Sequence, residues 1–158
     1  MRLIFKIIIL FFIIFGAVFS QKLHIPMDQL QTDHLKAYGV AFWSLKKGDN
    51  VDWLLNYRGG SFLVDYDNSL ERELKIRGVY YEPVNTAILI EIFSQIEENN
   101  MDMVLLEKLP KIAVYSPPDK QPWDDAVTLA LTYAEIDYEV IFDDEVLANK
   151  LPDYDWLH

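Results

Sequence analysis

Short apolar runs of strand length alternate with longer stretches whose apolar residues recur every three or four positions, from Leu23 to the last residues of the chain. No other feature constrains the fold as much. A strand followed by a helix returns to its sheet through a crossover, so repeated units of this kind imply an α/β fold with a mostly parallel sheet and flanking helices. Residues 23–27 read as a strand and 32–47 as a helix, with Leu35, Tyr38, Phe42 and Leu45 at spacings of 3, 4 and 3. Val40 and Trp43 put apolar surface on the other faces of that helix, which predicts cover on more than one side. Runs 51–57 and 61–64 read as strands around a Gly59-Gly60 turn, 67–77 as a polar helix with Leu70 and Leu74 on one face, and 79–84 as a strand. Residues 86–98 carry Leu89, Ile92, Phe93 and Ile96 at helical spacing, and 101–108 are ambiguous.

A clearer unit follows. The run 111–115 (KIAVY) reads as a buried strand closed by Ser116-Pro117-Pro118, and Pro122-Trp123-Asp124-Asp125 opens a helix that continues to about Glu135. The two acids suit a first turn, where free N–H groups and the helix dipole favour an anion. Residues 138–142 read as a strand, 144–150 as a short helix and 154–157 as another apolar run. Strand start to strand start is 28 residues from Leu23 to Val51 and 27 from Lys111 to Tyr138, with negligible side-chain identity between the two intervals.

The N-terminus has the form of a secretory signal. Arg2 and Lys6 precede the almost wholly apolar run 7–19, and Val18 and Ser20 fit the small-residue positions before a signal peptidase cut. The run is shorter than the about 20 residues a membrane-spanning helix needs, and Lys22 follows it at once. The expectation is a signal peptide over 1–20 and a mature chain that begins at Gln21, is exported to the periplasm or beyond the cell, and has no stable membrane span. The remaining 138 of 158 residues make one domain or two small ones, divided as a unit over 21–108 and the start of a second over 109–158.

Fourteen Lys and Arg against 25 Asp and Glu give a net charge of −11, and −13 once Arg2 and Lys6 are removed. Such a surface repels phosphate backbones, so nucleic acid is excluded as a partner. With no cysteine, the chain offers no disulfide, thiolate metal site or cysteine nucleophile.

In open parallel sheets, ligands bind beyond the carboxyl ends of the strands. That edge would collect Asp28, Arg58, Ser116, Asp143 and His158, an acid, guanidinium, hydroxyl and imidazole set suited to a small polar ligand; the same residues also serve as ordinary polar strand ends. Arg58-Gly59-Gly60-Ser61 could expose backbone N–H groups to an anion, but a tight hairpin turn fits it better. It is not a nucleophile elbow, which would need glycine where Leu63 stands. His24, Asp28, Asp33 and His34 are metal-ligand types whose spacing matches no motif, so neither a metal nor a cofactor is assigned. Asp143-Asp144-Glu145 reads as a helix start on a solvated surface, and Trp43, Trp53, Trp123 and Trp156 as core.

Four blocks, KLHIPMDQLQTDHLKAYGVAFWSLKKG, VDWLLNYRGGSF, KIAVYSPPDKQPWDDAVTLALTYAEI and LPDYDWLH, together resemble a family of secreted bacterial proteins commonly labelled asparagine synthetase B. The resemblance covers essentially the whole mature chain. Members of that family continue past the position of His158, which implies an N-terminal portion. The later blocks resemble the first half of a class I glutamine amidotransferase-like, flavodoxin-type domain, which implies a sheet incomplete at its C-terminus and any nucleophile beyond residue 158.

The family label does not carry its activity onto these residues. A glutamine-dependent asparagine synthetase resembles a two-part enzyme with an N-terminal cysteine and an S-G-G-x-D-S pyrophosphate loop. Here position 2 is Arg2, and the nearest glycine pair has Arg58 for the first serine and Phe62 for the aspartate. Two functions are therefore expected: binding or processing of a small polar or peptide-like ligand at the strand edge, or a non-enzymatic extracytoplasmic module that binds a partner protein.

Overall fold

The computed structural model describes residues 21–120 and 125–158. The signal-like run 1–20, and Pro122, Trp123 and Asp124, which the sequence reads as a helix opening, lie outside them. Strand β1 (Lys22–Ile25) leads into helix α1 (His34–Lys47), then β2 (Val51–Leu54), a 3-10 turn (Tyr57–Gly59) and β3 (Ser61–Asp65). Helix α2 (Asn68–Arg77), β4 (Glu82–Val84), α3 (Thr86–Glu98) and β5 (Met103–Leu106) complete a five-stranded sheet of order β4-β1-β3-β2-β5.

Every neighbouring pair in this sheet is antiparallel, which overturns the expected mostly parallel, flavodoxin-like sheet. The crossovers are real, but the strands they join are not neighbours. β1 and β2 both run opposite to β3, so α1 joins two strands of one direction with β3 inserted between them. α2 joins β3 to β4 in the same way across β1. Two interleaved split β-α-β units result, a ferredoxin-like arrangement. A strand–helix rhythm determines strand direction across each crossover and leaves adjacency open.

Strand alternation gives the sheet two different faces. Leu23, Ile25, Val51, Phe62 and Val64 pack against Ala37, Val40 and Ala41 of α1 and Leu70 and Leu74 of α2. On the other face Leu54, Leu63 and Val84 meet Ile92 and Ile96 of α3, each such side chain contributing about 1.5–3 kcal/mol on burial. The four longer helices each start behind an Asp or Asn whose side chain accepts first-turn N–H groups: Asp33, Asp67, Asn85 and Asp125.

A second sheet follows. β6 (Ile112–Tyr115), α4 (Ala126–Ala134), β7 (Glu139–Ile141), α5 (Asp143–Leu147), a 3-10 turn (Leu151–Asp153) and β8 (Trp156–Leu157) form a parallel sheet of order β7-β6-β8. Here α4 joins the neighbours β6 and β7, while α5 joins β7 to β8 across β6, and among the described residues parallel pairing is confined to these three short strands.

Helix α1 joins the two sheets. Its Phe42 packs with Ile112, Val114 and Leu131, and its Gly39 lies against Ala134 of α4. Beside this contact Glu135, left-handed at φ 60°, receives Lys36 at 2.6 Å and Arg77 at 3.0 Å. Arg77 also donates to the Ala134 carbonyl at 3.3 Å.

Candidate functional site

Where α1 and the first sheet face α4 and the second sheet, a cavity of about 610 Å³ remains. Its walls come from both parts of the chain. Trp53 and Phe62 enter from the first sheet, Leu35, Tyr38 and Phe42 from α1, Ala130 and Leu131 from α4, and Trp156 from β8. Tyr38 meets Phe62 edge-on at 5.6 Å, and Phe62 stacks on Trp53 at 6.3 Å, so three rings form one continuous wall. Among the described residues no charged side chain lines the cavity, and its hydrogen-bonding side chains are Tyr38, Trp53 and Trp156. The Trp53 indole N–H is already committed to the Gly60 carbonyl at 3.1 Å. Leu35, Tyr38 and Trp156 stand 42%, 41% and 48% exposed, and they mark the solvent side. Trp156 is thus a wall of the cavity rather than the core residue the sequence suggested, while Trp43 and Trp53 pack on the main core.

The polar residues sort into two groups. The turn 57–60 closes the β2–β3 hairpin, so Arg58-Gly59-Gly60-Ser61 is a hairpin turn. Arg58 adopts φ 46°, ψ 45°, left-handed backbone that costs a non-glycine residue about 1–2 kcal/mol. Its carbonyl accepts from Met27 N–H at 3.0 Å. Gly59 must be glycine, because a Cβ there would lie 2.4 Å from the Met27 carbonyl oxygen. The Arg58 guanidinium donates through Nε to Asp28 at 2.7 Å and through Nη1 to Glu82 at 2.6 Å. Asp28 and Arg58 do meet, and they satisfy each other.

Glu82 continues this chain inward. Its Oε2 also accepts from His24 Nδ1 at 3.2 Å, and its Oε1 from the Tyr80 hydroxyl at 3.2 Å. Burial opposes Glu82 ionisation, but the Arg58 and His24 hydrogen bonds and charges outweigh it and hold the carboxyl below its usual range. The Arg58 hydrogen bond likewise lowers Asp28. Burial pushes the His24 imidazole below its usual range, against the pull of Glu82. His24 is 1% exposed, sits 5.6 Å from the Tyr57 ring, and its Nε2 finds no hydrogen-bond partner among the described residues. Glu82 escaped the sequence reading and His24 entered it only as a metal-ligand type. The signal available was the lone polar residue in Leu23-His24-Ile25, which alternation turns onto the face opposite its neighbours.

Ser116, Asp143 and His158 gather elsewhere, at the carboxyl edge of the parallel sheet. Ser116 N–H donates to the Ile141 carbonyl at 3.0 Å, His158 carbonyl accepts from Tyr115 N–H at 2.8 Å, and Asp143 accepts from the Tyr115 hydroxyl at 2.5 Å. Ser116, Lys120, Thr128 and Tyr138 line a cleft of about 300 Å³ there. The five predicted residues thus form two clusters, one on each sheet. His34 donates to the Met27 carbonyl at 3.1 Å. Among the described residues no group of three or more His, Asp or Glu side chains is placed to hold a metal ion, and no helix is long and apolar enough to cross a membrane. The chain matches no family model, no curated protein and no solved structure.

Proposed function

We propose that this chain is an exported, non-enzymatic binding protein for a small, neutral, apolar molecule seated between the two sheets. The observation that carries the reading is the cavity of about 610 Å³ with aromatic walls and no charged lining among the described residues. Interiors otherwise pack at crystal density, and small-molecule sites occupy about 300–1,000 Å³. A second copy is a poor occupant, because it would bring together two exported chains each of net charge −13 (12 − 25, without Arg2 and Lys6). The charged candidates at Asp28 and Arg58 are committed to each other, which favours an apolar ligand over a polar one. Export is supported by the cations, apolar run and small residues of 1–20.

The test is titration with the neutral dye N-phenylnaphthylamine, against the purified protein and an Ala130→Trp variant that fills the cavity from α4. The expected result is saturable one-to-one binding with energy transfer from tryptophan, weakened at least tenfold in A130W. Unsaturable binding, or equal affinity in a folded A130W, would overturn the reading.

A further inference from the structure

The polar cluster and the apolar cavity share one segment, the turn 57–60. On one side Arg58 ties it to Asp28 and Glu82, and Glu82 is tied in turn to buried His24. On the other side the Gly60 carbonyl holds the Trp53 indole, whose ring is a wall of the cavity. Resting on the ligand reading above, we infer that His24, Glu82, Arg58 and Asp28 form an acid-sensitive latch on that cavity: protonation of His24 frees the turn and Trp53 and loosens the hold on a bound apolar molecule.

The geometry supplies the reason. With Glu82 ionised, neutral His24 carries its proton on Nδ1 and leaves a buried Nε2 with no hydrogen-bond partner among the described residues. A second proton creates a buried N–H donor with no acceptor among the described residues, and such a donor must be exposed to water. Tyr57 lies across the ring and belongs to the same turn as Arg58, so letting water in displaces that turn. The turn is poised to move, because its left-handed Arg58 relies on the two carboxylates and the Met27 hydrogen bond to hold it. The charged and titratable groups facing His24 are Glu82 from β4, Asp28 from the loop after β1, and Arg58 and the Tyr57 phenol from the turn. Glu91 of α3 acts on that phenol in turn. The Arg58 hydrogen bonds hold both carboxylates beside His24 below their usual ranges, and burial holds His24 below its own, so the latch lets go below the usual imidazole range.

Amide hydrogen exchange of the whole protein, corrected for the intrinsic pH dependence, tests the latch without any ligand. The protection of Met27 and Gly60 amides should fall at least tenfold from pH 7.5 to 4.5, while Val40 and Ala41 in α1 keep theirs. In His24→Phe it should not change with pH. Should that variant fail to fold, Glu82→Gln serves, with low protection already at pH 7.5 and little further loss. PH-independent protection in the native chain, or the same fall in His24→Phe, would overturn the latch. N-phenylnaphthylamine release over the same range reports the coupling. A dye that never binds sinks the ligand reading while exchange still decides the latch, and a dye retained as the turn opens sinks the coupling.

Discussion

Gly39 and Ala134 are in backbone contact: a Cβ built on Gly39 would lie 1.8 Å from the Ala134 carbonyl oxygen. This is where α1 and α4 cross, and it sets the distance between the two sheets. Gly39→Ala should therefore push the helices apart, at a cost of about 1–3 kcal/mol as in other overpacked interiors. Chemical denaturation measures the loss, and N-phenylnaphthylamine affinity should fall with it. A variant as stable as the native chain, with unchanged affinity, would show that the crossing does not set the cavity.

Arg58 combines backbone strain with two ion pairs, and two substitutions separate them. Arg58→Ala keeps the strained backbone and strands two carboxylates, costing about 2 kcal/mol, between the values for surface and buried pairs. Arg58→Gly strands the same carboxylates but adopts φ 46° freely, so it should be the more stable of the two by about 1 kcal/mol. Urea midpoints of the pair decide this. An alanine variant equal to or better than the glycine one would deny the strain.

Stability should fall in two stages with acid. Burial lowers the His24 pKa, so folding favours the neutral ring. Its contribution is full above the unfolded value of about 6.5 and is lost as pH drops below it toward the folded value. Glu82 and Asp28 are also lowered, so their contributions are full above about pH 4.5 and are lost as pH falls through their folded values. Urea midpoints from pH 8 to 3 should show both stages in the native chain and only the lower one in His24→Phe. A native curve flat between pH 7 and 5 would contradict the assignment to His24.

Export should leave Gln21 as the first residue, because the apolar run ends in small residues at Val18 and Ser20. Mass spectrometry of exported protein checks this; an intact Met1 in that fraction would refute it.

The sequence was informative about elements and less so about neighbours. Leu35, Tyr38, Phe42 and Leu45 do lie on one helix, but this stripe faces the cavity; the face toward the sheet is built from the small residues Ala37, Val40 and Ala41. Periodicity finds an apolar face without saying whether sheet or empty space lies opposite. The second apolar face carried by Val40 was legible, and it is the one that packs. The ambiguous stretch 101–108 became β5, an edge strand with Met103, Val104 and Leu105 all exposed, where neither face has the burial that produces alternation. Asp28 and Arg58 met because a strand end and a hairpin turn are adjacent, while Ser116, Asp143 and His158 belong to the other sheet. The link through Glu82 depends on β4 pairing with β1, a long-range register that local pattern does not encode.

The melting temperature of the protein, taken with graded neutral apolar molecules and their carboxylate analogues of equal size, decides whether the cavity holds an apolar ligand. Ligand at a hundredfold its dissociation constant stabilises the folded chain by about 2.7 kcal/mol, on the order of 8 °C for a domain of this size. That shift is expected for the neutral molecules, none for the carboxylates, and loss of the shift in Ala130→Trp. Equal shifts for both series, or none for either, would contradict it.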